Sequence, residues 1–181
     1  MDIKLTLMAN PSHLEAVNPC VGGRARAEQH FLGGKEDSRT KVMPIIVHGD
    51  AAMSGQGIVF ECLQMAELKN YEVGGTVHIV INNQVGFTTT PDRQRSGNYC
   101  TDVAKAISAP IFHVNAQSMP DVMRTFKIAA EYRQKFKKDV VIDLIGYRKF
   151  GHNELDQPMF TQPLMYSVIK KIENVRDIYR N

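Results

Sequence analysis

Residues 42–50 read Val42-Met43-Pro44-Ile45-Ile46-Val47-His48-Gly49-Asp50, and residues 76–83 read Thr76-Val77-His78-Ile79-Val80-Ile81-Asn82-Asn83. Each is a short apolar run, rich in β-branched residues, that ends in turn-forming polar residues. Such runs mark strands buried on both faces, as in a parallel sheet. Two further runs follow the same rule, 111–114 (IFHV) and 140–145 (VVIDLI). Helical patterns lie between them. Across 55–69, Ile58, Val59, Cys62, Leu63, Met65, Ala66 and Leu68 recur at helical spacing. Residues 119–138 predict a longer amphipathic helix, entered through Pro120-Asp121. It ends in Arg133, Lys135, Lys137 and Lys138, where the helix dipole favours cations. Residues 164–179 predict a final amphipathic helix. Strand and helix in alternation predict an α/β fold, a parallel sheet with helices on both faces.

The remaining stretches are read from local chemistry. Residues 3–8 alternate apolar and polar side chains and predict a strand, not a signal peptide or a transit peptide. Asn10-Pro11-Ser12-His13 predicts a turn, since Pro11 fixes φ and restrains Asn10. Residues 14–27 predict partial helix, interrupted by Pro19 and Gly22-Gly23. Residues 33–40, 84–98 and 151–163 predict loops. Thr101 is placed to cap a helix start at Asp102.

Composition narrows the function classes. The chain has 181 residues, 22 Lys+Arg against 19 Asp+Glu, and a formal net charge of +3. At 43% hydrophobic residues it is not a disordered chain. The length suits one domain. The charge is too small, and the basic residues too scattered, to argue for a nucleic-acid partner. No apolar run approaches the ~20 residues of a membrane span. Cys20, Cys62 and Cys100 are scattered and form no CxxC, so neither a zinc site nor a disulfide scaffold is expected.

In open parallel sheets, ligands bind at the carboxyl ends of the strands. Two of those ends carry matching polar groups. Val47 leads into His48-Gly49-Asp50-Ala51, and Ile81 leads into Asn82-Asn83-Gln84-Val85. On neighbouring strands, Asp50 and Asn83 converge at one edge. A carboxylate, an amide oxygen and a loop carbonyl make a hard oxygen set of the kind Mg²⁺ prefers. A single carboxylate leaves coordination positions for a diphosphate. Gly49 allows the tight turn, and the helix expected over 55–69 would direct its N-terminus toward the anion. Either dipeptide alone is an ordinary turn. Their recurrence at successive strand ends, 33 residues apart, favours a site. No GxGxxG follows a strand and no GxxxxGK[ST] is present, so neither a dinucleotide fingerprint nor a P-loop explains the pattern.

Gly-Asp after a strand, followed some thirty residues on by Asn, resembles the thiamine diphosphate motif of thiamine enzymes. The flanking stretches are more specific. NPSHLEAVNP (10–19), HGDAAMSGQG (48–57), GGTVHIVINNQVGFTT (74–89) and YRKFGHNELDQPMFTQPLMY (147–166) resemble the 2-oxoglutarate dehydrogenase E1 family over nearly the whole chain. Ala51 stands where many other thiamine enzymes have Gly, a variant typical of this family.

The resemblance implies a thiamine diphosphate-binding fold and a set of roles. Asp50, Asn83 and the Val85 carbonyl would ligate Mg²⁺, and Ala51 would lie by the diphosphate. His152, in the Gly-His-Asn-Glu segment, would close over the diphosphate from a loop. His13 would be an active-site histidine toward the 2-oxo acid, assisted by Ser12; a histidine titrating near neutrality suits that work. His48 and His78 are expected to be structural. The implied activity is oxidative decarboxylation of 2-oxoglutarate with acyl transfer to a lipoyl-bearing E2 subunit, the cofactor acting as electron sink. A 2-oxoadipate-preferring paralog and a truncated, non-catalytic piece are the alternatives. A homodimer in the full-length context and the mitochondrial matrix are implied too. The family's glutamate that activates the aminopyrimidine ring has no counterpart here. Residues 1–181 are therefore expected to be a single diphosphate-binding domain of a longer architecture, without turnover on their own.

Overall fold

The computed structural model describes residues 3–10, 12–34 and 37–180. Strands β1 (Ile45–Gly49), β2 (Val77–Asn82), β3 (Ile111–Asn115) and β4 (Val140–Ile145) form one sheet in the order β1-β2-β4-β3. Every pairing is parallel, with Gly49 opposite Ile81, and Asn82 and Asn115 both opposite Ile145. The carboxyl ends of all four strands therefore share one edge.

Helices α1 (Asn18–Phe31), α2 (Ser38–Lys41), α3 (Asp50–Gly55), α4 (Gly57–Met65), α5 (Pro91–Gln94), α6 (Met119–Phe136), α7 (Pro158–Thr161), α8 (Pro163–Ile169) and α9 (Val175–Arg180) fill the connections, with a 3-10 helix at Asp102–Ile107. Elements pack on both faces of the sheet, with Ile45 and Val47 of β1 left exposed. On one, Val80 and Val141 pack with Met53, Val59 and Leu63 of α3 and α4, and with Cys100 and Ala104. On the other, Val77, Val114 and Ile142 pack against α6 through Ala129, Val122 and Phe126. The apolar stripe of α6 supplies this layer, as its spacing predicts.

The amino end of the sheet is tied by a buried cation. Arg133 of α6 is fully buried, and its guanidinium donates to the carbonyls of Gly75, Val42 and Val73 at 2.9, 3.0 and 3.0 Å. Gln29 of α1 donates to the carbonyls of Val42 and Val73 as well. Burial pulls the Arg133 guanidinium down to about 10, opposed by Asp139. Carbonyls of the segments entering β1 and β2 are thus satisfied by side chains.

Several local expectations are corrected. Residues 3–8 are not a strand: they run irregular and mostly exposed and pair with no strand of the sheet. Helix α1 begins at Asn18 and runs through Gly22-Gly23. Pro19 lies in its first turn, where the missing N–H is no loss, so it starts the helix instead of interrupting it. The helix expected over 55–69 is two: α3 starts at Asp50 and stops at Gly55, and α4 resumes after an extended Gln56. The two glycines flanking Gln56 weaken helix there. The loops 33–40, 84–98 and 151–163 carry the short helices α2, α5 and α7. Thr101 makes no side-chain cap, and its buried hydroxyl has no partner. The final helix is broken into α8 and α9. Pro11 lies outside the described residues. Among those residues, no helix is long and apolar enough to cross a membrane.

Candidate functional site

Asp50 is the first residue of α3, directly after the last residue of β1. A carboxylate there meets the partial positive charge of the first helical turn. Its side chain is buried at 2% exposure. The parallel register of β1 and β2 brings the Asn82-Asn83 turn to the same edge. The pleat then separates the two asparagines. Asn82 turns inward and donates to buried Asp143 Oδ1 at 3.0 Å. Asn83, half-buried, lies at the cavity that also holds Asp50, and its Oδ1 accepts from the Val85 amide at 3.2 Å.

That cavity, of about 240 Å³, gathers Asp50, Ala51, Asn83, Val85 and His152. Five of the six residues singled out in the sequence therefore share one wall system. The sixth, His13, does not line it, although Asn10, Leu14 and Glu15 do. His13 is exposed, and its Nδ1 lies 2.7 Å from the Ser12 hydroxyl. His152 is also exposed and meets the Phe87 ring edge to face at 4.7 Å.

Sequence reading missed two charged residues of this cavity. Arg148, just beyond β4, donates to the carbonyls of Phe87 and Phe150 and faces Asp156 at 3.8 Å. Asp156 in turn accepts from the His152 amide at 2.9 Å. Arg148 thus holds the loop that carries His152. Glu15, only 6% exposed, accepts from Asn18 Nδ2 at 2.7 Å and from His48 Nδ1 at 2.7 Å. Burial chiefly, and the neighbouring His78, hold His48 below the usual imidazole range against the pull of Glu15. One lies in the stretch after a strand end and one beside the Pro-Ser-His turn, but neither position records the contacts it makes.

Backbone strain concentrates here. Among the described non-glycine residues, seven have positive φ; His13 (53°), Glu15 (68°), Gln84 (63°) and Phe87 (53°) belong to the two loops around this cavity. Such conformations persist where the surroundings hold them, and they cluster at binding sites.

The donor set fits a magnesium–diphosphate group. One carboxylate, one amide oxygen and a backbone carbonyl are hard ligands that leave positions for phosphate oxygens and water. The backbone also comes close: a Cβ on Gly86 would lie 2.7 Å from Ala51 Cβ. Among the described residues, no cluster of three or more His, Cys, Asp or Glu could hold a metal ion.

The sequence profile of the family described as Dehydrogenase E1 component matches residues 2–181. The chain is 55% identical over 179 residues to "2-oxoglutarate dehydrogenase, mitochondrial" of Dictyostelium discoideum, covering 99% of this chain and 18% of that protein. It is 57% identical over 169 residues to "2-oxoglutarate dehydrogenase-like, mitochondrial" of Xenopus laevis, covering 93% and 16%. It is 50% identical over 179 residues to "2-oxoglutarate dehydrogenase, mitochondrial" of Caenorhabditis briggsae, covering 99% and 17%. The chain thus spans less than a fifth of the length of these relatives.

Proposed function

Because this chain belongs to the Dehydrogenase E1 component family, we propose that it is the diphosphate-binding domain of a 2-oxoglutarate dehydrogenase-type E1. The observation that carries this reading is the single cavity shared by Asp50, Ala51, Asn83, Val85 and His152. Asp50, the Asn83 amide oxygen and the Val85 carbonyl would hold Mg²⁺, with Ala51 beside the diphosphate of thiamine diphosphate. When bound, that cofactor supplies the electron sink for decarboxylation of a 2-oxo acid.

The protein's own part is binding, orientation and exclusion of water. Asp50 brings the negative charge that a dication needs, and its burial strengthens that attraction. His152, on the loop clamped by Arg148, covers the phosphate end. His13, held at positive φ on the opposite loop, offers an imidazole to the carboxylate or oxo group of the substrate. The natural acyl acceptor of the whole enzyme is a lipoyl group on a partner E2 subunit. The whole enzyme is proposed to act as a homodimer in the mitochondrial matrix; the names of the relatives support the mitochondrial part of this reading alone.

Calorimetry on the chain with thiamine diphosphate and Mg²⁺ tests the site. Metal-dependent binding that is lost in Asp50→Ala supports the reading. No binding by the wild-type chain, with or without metal, overturns it. Isolated, the chain should not decarboxylate 2-oxoglutarate, and turnover without any added subunit would contradict the single-domain reading.

A further inference from the structure

Gln94 and Arg95 lie against the Asp50 carboxylate. Gln94, the last residue of α5, donates through Nε2 to Asp50 Oδ2 at 2.9 Å, and Arg95 Nη1 stands 3.8 Å from the same oxygen. Gly86 permits the approach, since a Cβ there would lie 2.7 Å from Gln94 Oε1. These contacts leave groups over. Gln94 Oε1, Arg95 Nε and Arg95 Nη1 are all buried without a hydrogen-bond partner. A buried guanidinium N–H with no acceptor is costly, because the desolvation of a charged donor goes uncompensated. Arg95 has no other ion-pair partner within 4.0 Å among the described residues. It is a charged fork lying beside the proposed metal ligand with two of its donors unused.

We infer that Gln94 and Arg95 form a cap on Asp50 that a divalent cation must displace, and that the released Arg95 guanidinium then binds the diphosphate oxygens accompanying that cation. The inference rests on the cavity being a metal–diphosphate site. Charge sets the signs. While Arg95 stands beside Asp50, it offsets the one negative charge available to a metal. A dication at Asp50 repels a guanidinium 3.8 Å from the ligating oxygen. A diphosphate next to that dication attracts the guanidinium and presents the oxygens its planar fork matches. Arg95 therefore opposes the metal alone and favours the metal with diphosphate. One side chain couples the two ligands, so each strengthens the other's binding. Gln94 is neutral and belongs to the cap only.

The test compares two affinities on the 181-residue chain. Mn²⁺ affinity without nucleotide or phosphate is read by electron paramagnetic resonance. Thiamine diphosphate affinity at saturating Mg²⁺ is read by calorimetry. Arg95→Gln is expected to tighten Mn²⁺ several-fold and to weaken thiamine diphosphate about tenfold, the loss of one charge-assisted contact. Gln94→Leu should tighten Mn²⁺ without weakening thiamine diphosphate. Arg95→Lys should keep most of the antagonism to the metal while recovering only part of the diphosphate affinity. Arg95→Gln moving both affinities the same way, or neither, in a chain whose wild type binds both, overturns this inference and leaves the metal–diphosphate reading standing. Wild type binding neither ligand overturns that reading and this inference with it.

Discussion

His48 on β1 and His78 on β2 meet nitrogen to nitrogen at 2.9 Å, their rings 5.2 Å apart and 26° from parallel. They are the middle of a buried chain. Glu15 Oε2 pairs with His48 Nδ1 at 2.7 Å, and His78 Nε2 pairs with Asp139 Oδ2 at 3.2 Å. Carboxylate oxygens accept, so both outer links and the central one need a ring N–H each. Two neutral imidazoles supply only two. With both rings neutral, the quartet fills two of its three links, and which two is set by the tautomers. It links the strained loop of His13 and Glu15 to Asp139, which also accepts from the Thr76 amide at the start of β2.

Replacing His78 with Leu breaks two of these links and leaves Asp139 and His48 short of a buried partner. A stability loss of about 2–4 kcal/mol is expected. Urea unfolding followed by circular dichroism measures it. His48→Phe combined with His78→Phe should cost less than the sum of the single changes, because the residues share one network. Strict additivity would show that the two histidines are independent core residues.

Gly75 is the backbone counterpart of this buried chain. Its φ is +82°, and a Cβ there would lie 2.2 Å from the Lys138 carbonyl oxygen. Both the conformation and the space exclude a side chain, and the Gly75 carbonyl is also a ligand of buried Arg133. Gly75→Ala should lose at least about 2 kcal/mol. Gly23→Ala, on open helix surface with nothing within 4 Å of a new Cβ, should be neutral or stabilising in the same melt. A melting temperature unchanged by Gly75→Ala would contradict the close packing of these two segments.

The four sheet strands were legible because each shows as a short apolar run, although only β2 and β4 are largely buried, while the edge strands β1 and β3 leave alternate residues exposed. Residues 3–8 were misread because alternation alone does not make a strand, and this segment pairs with no strand of the sheet. Pro19 was misread because proline in a first turn and proline in a helix interior look alike in sequence. Asp50, Asn83, Val85 and His152 were placed by their motifs, and the structure brings them to one cavity. Which of the two adjacent asparagines faces that cavity is decided by the pleat, with Asn82 drawn off to Asp143. Glu15, Arg148 and Arg95 were not legible. Their roles arise from segments distant in sequence that close on the sheet edge, and no local pattern records that.

The Cys100 thiol gives a pH prediction. Burial first, and Asp143 second, push it from 9.0 up to about 12, with Arg95 opposing. The folded state therefore keeps a proton that the unfolded chain releases above its ordinary thiol value. Stability from this group is fully present below that value and declines as pH rises from there toward 12. The difference in unfolding free energy between wild type and Cys100→Ala should accordingly shift against wild type on going from about pH 8 to about pH 10. Iodoacetamide should label exposed Cys20 quickly and Cys100 only on unfolding. Rapid labelling of all three thiols in the native chain would show that the core around Cys100 is open.

His13 separates catalysis from scaffolding. It sits at φ 53° on an exposed turn, bonded to Ser12, outside the lining of the cavity but one residue from Leu14 that lines it. A residue that only shaped the cofactor site would be expected to pack into it. On the proposed reading, exposed His13 meets the substrate beside that lining, after the cofactor is seated. In a full-length enzyme carrying this segment, His13→Ala should lower kcat/KM for the 2-oxo acid about 10²-fold, the usual range for loss of a proton-transferring group. Thiamine diphosphate affinity should change far less. His13→Asn keeps a residue tolerant of positive φ but removes the imidazole. It should be as inactive as the alanine variant, while unfolding like wild type. Loss of cofactor affinity with kcat unchanged would instead make His13 a support for the loop, and the imidazole would have no part in turnover.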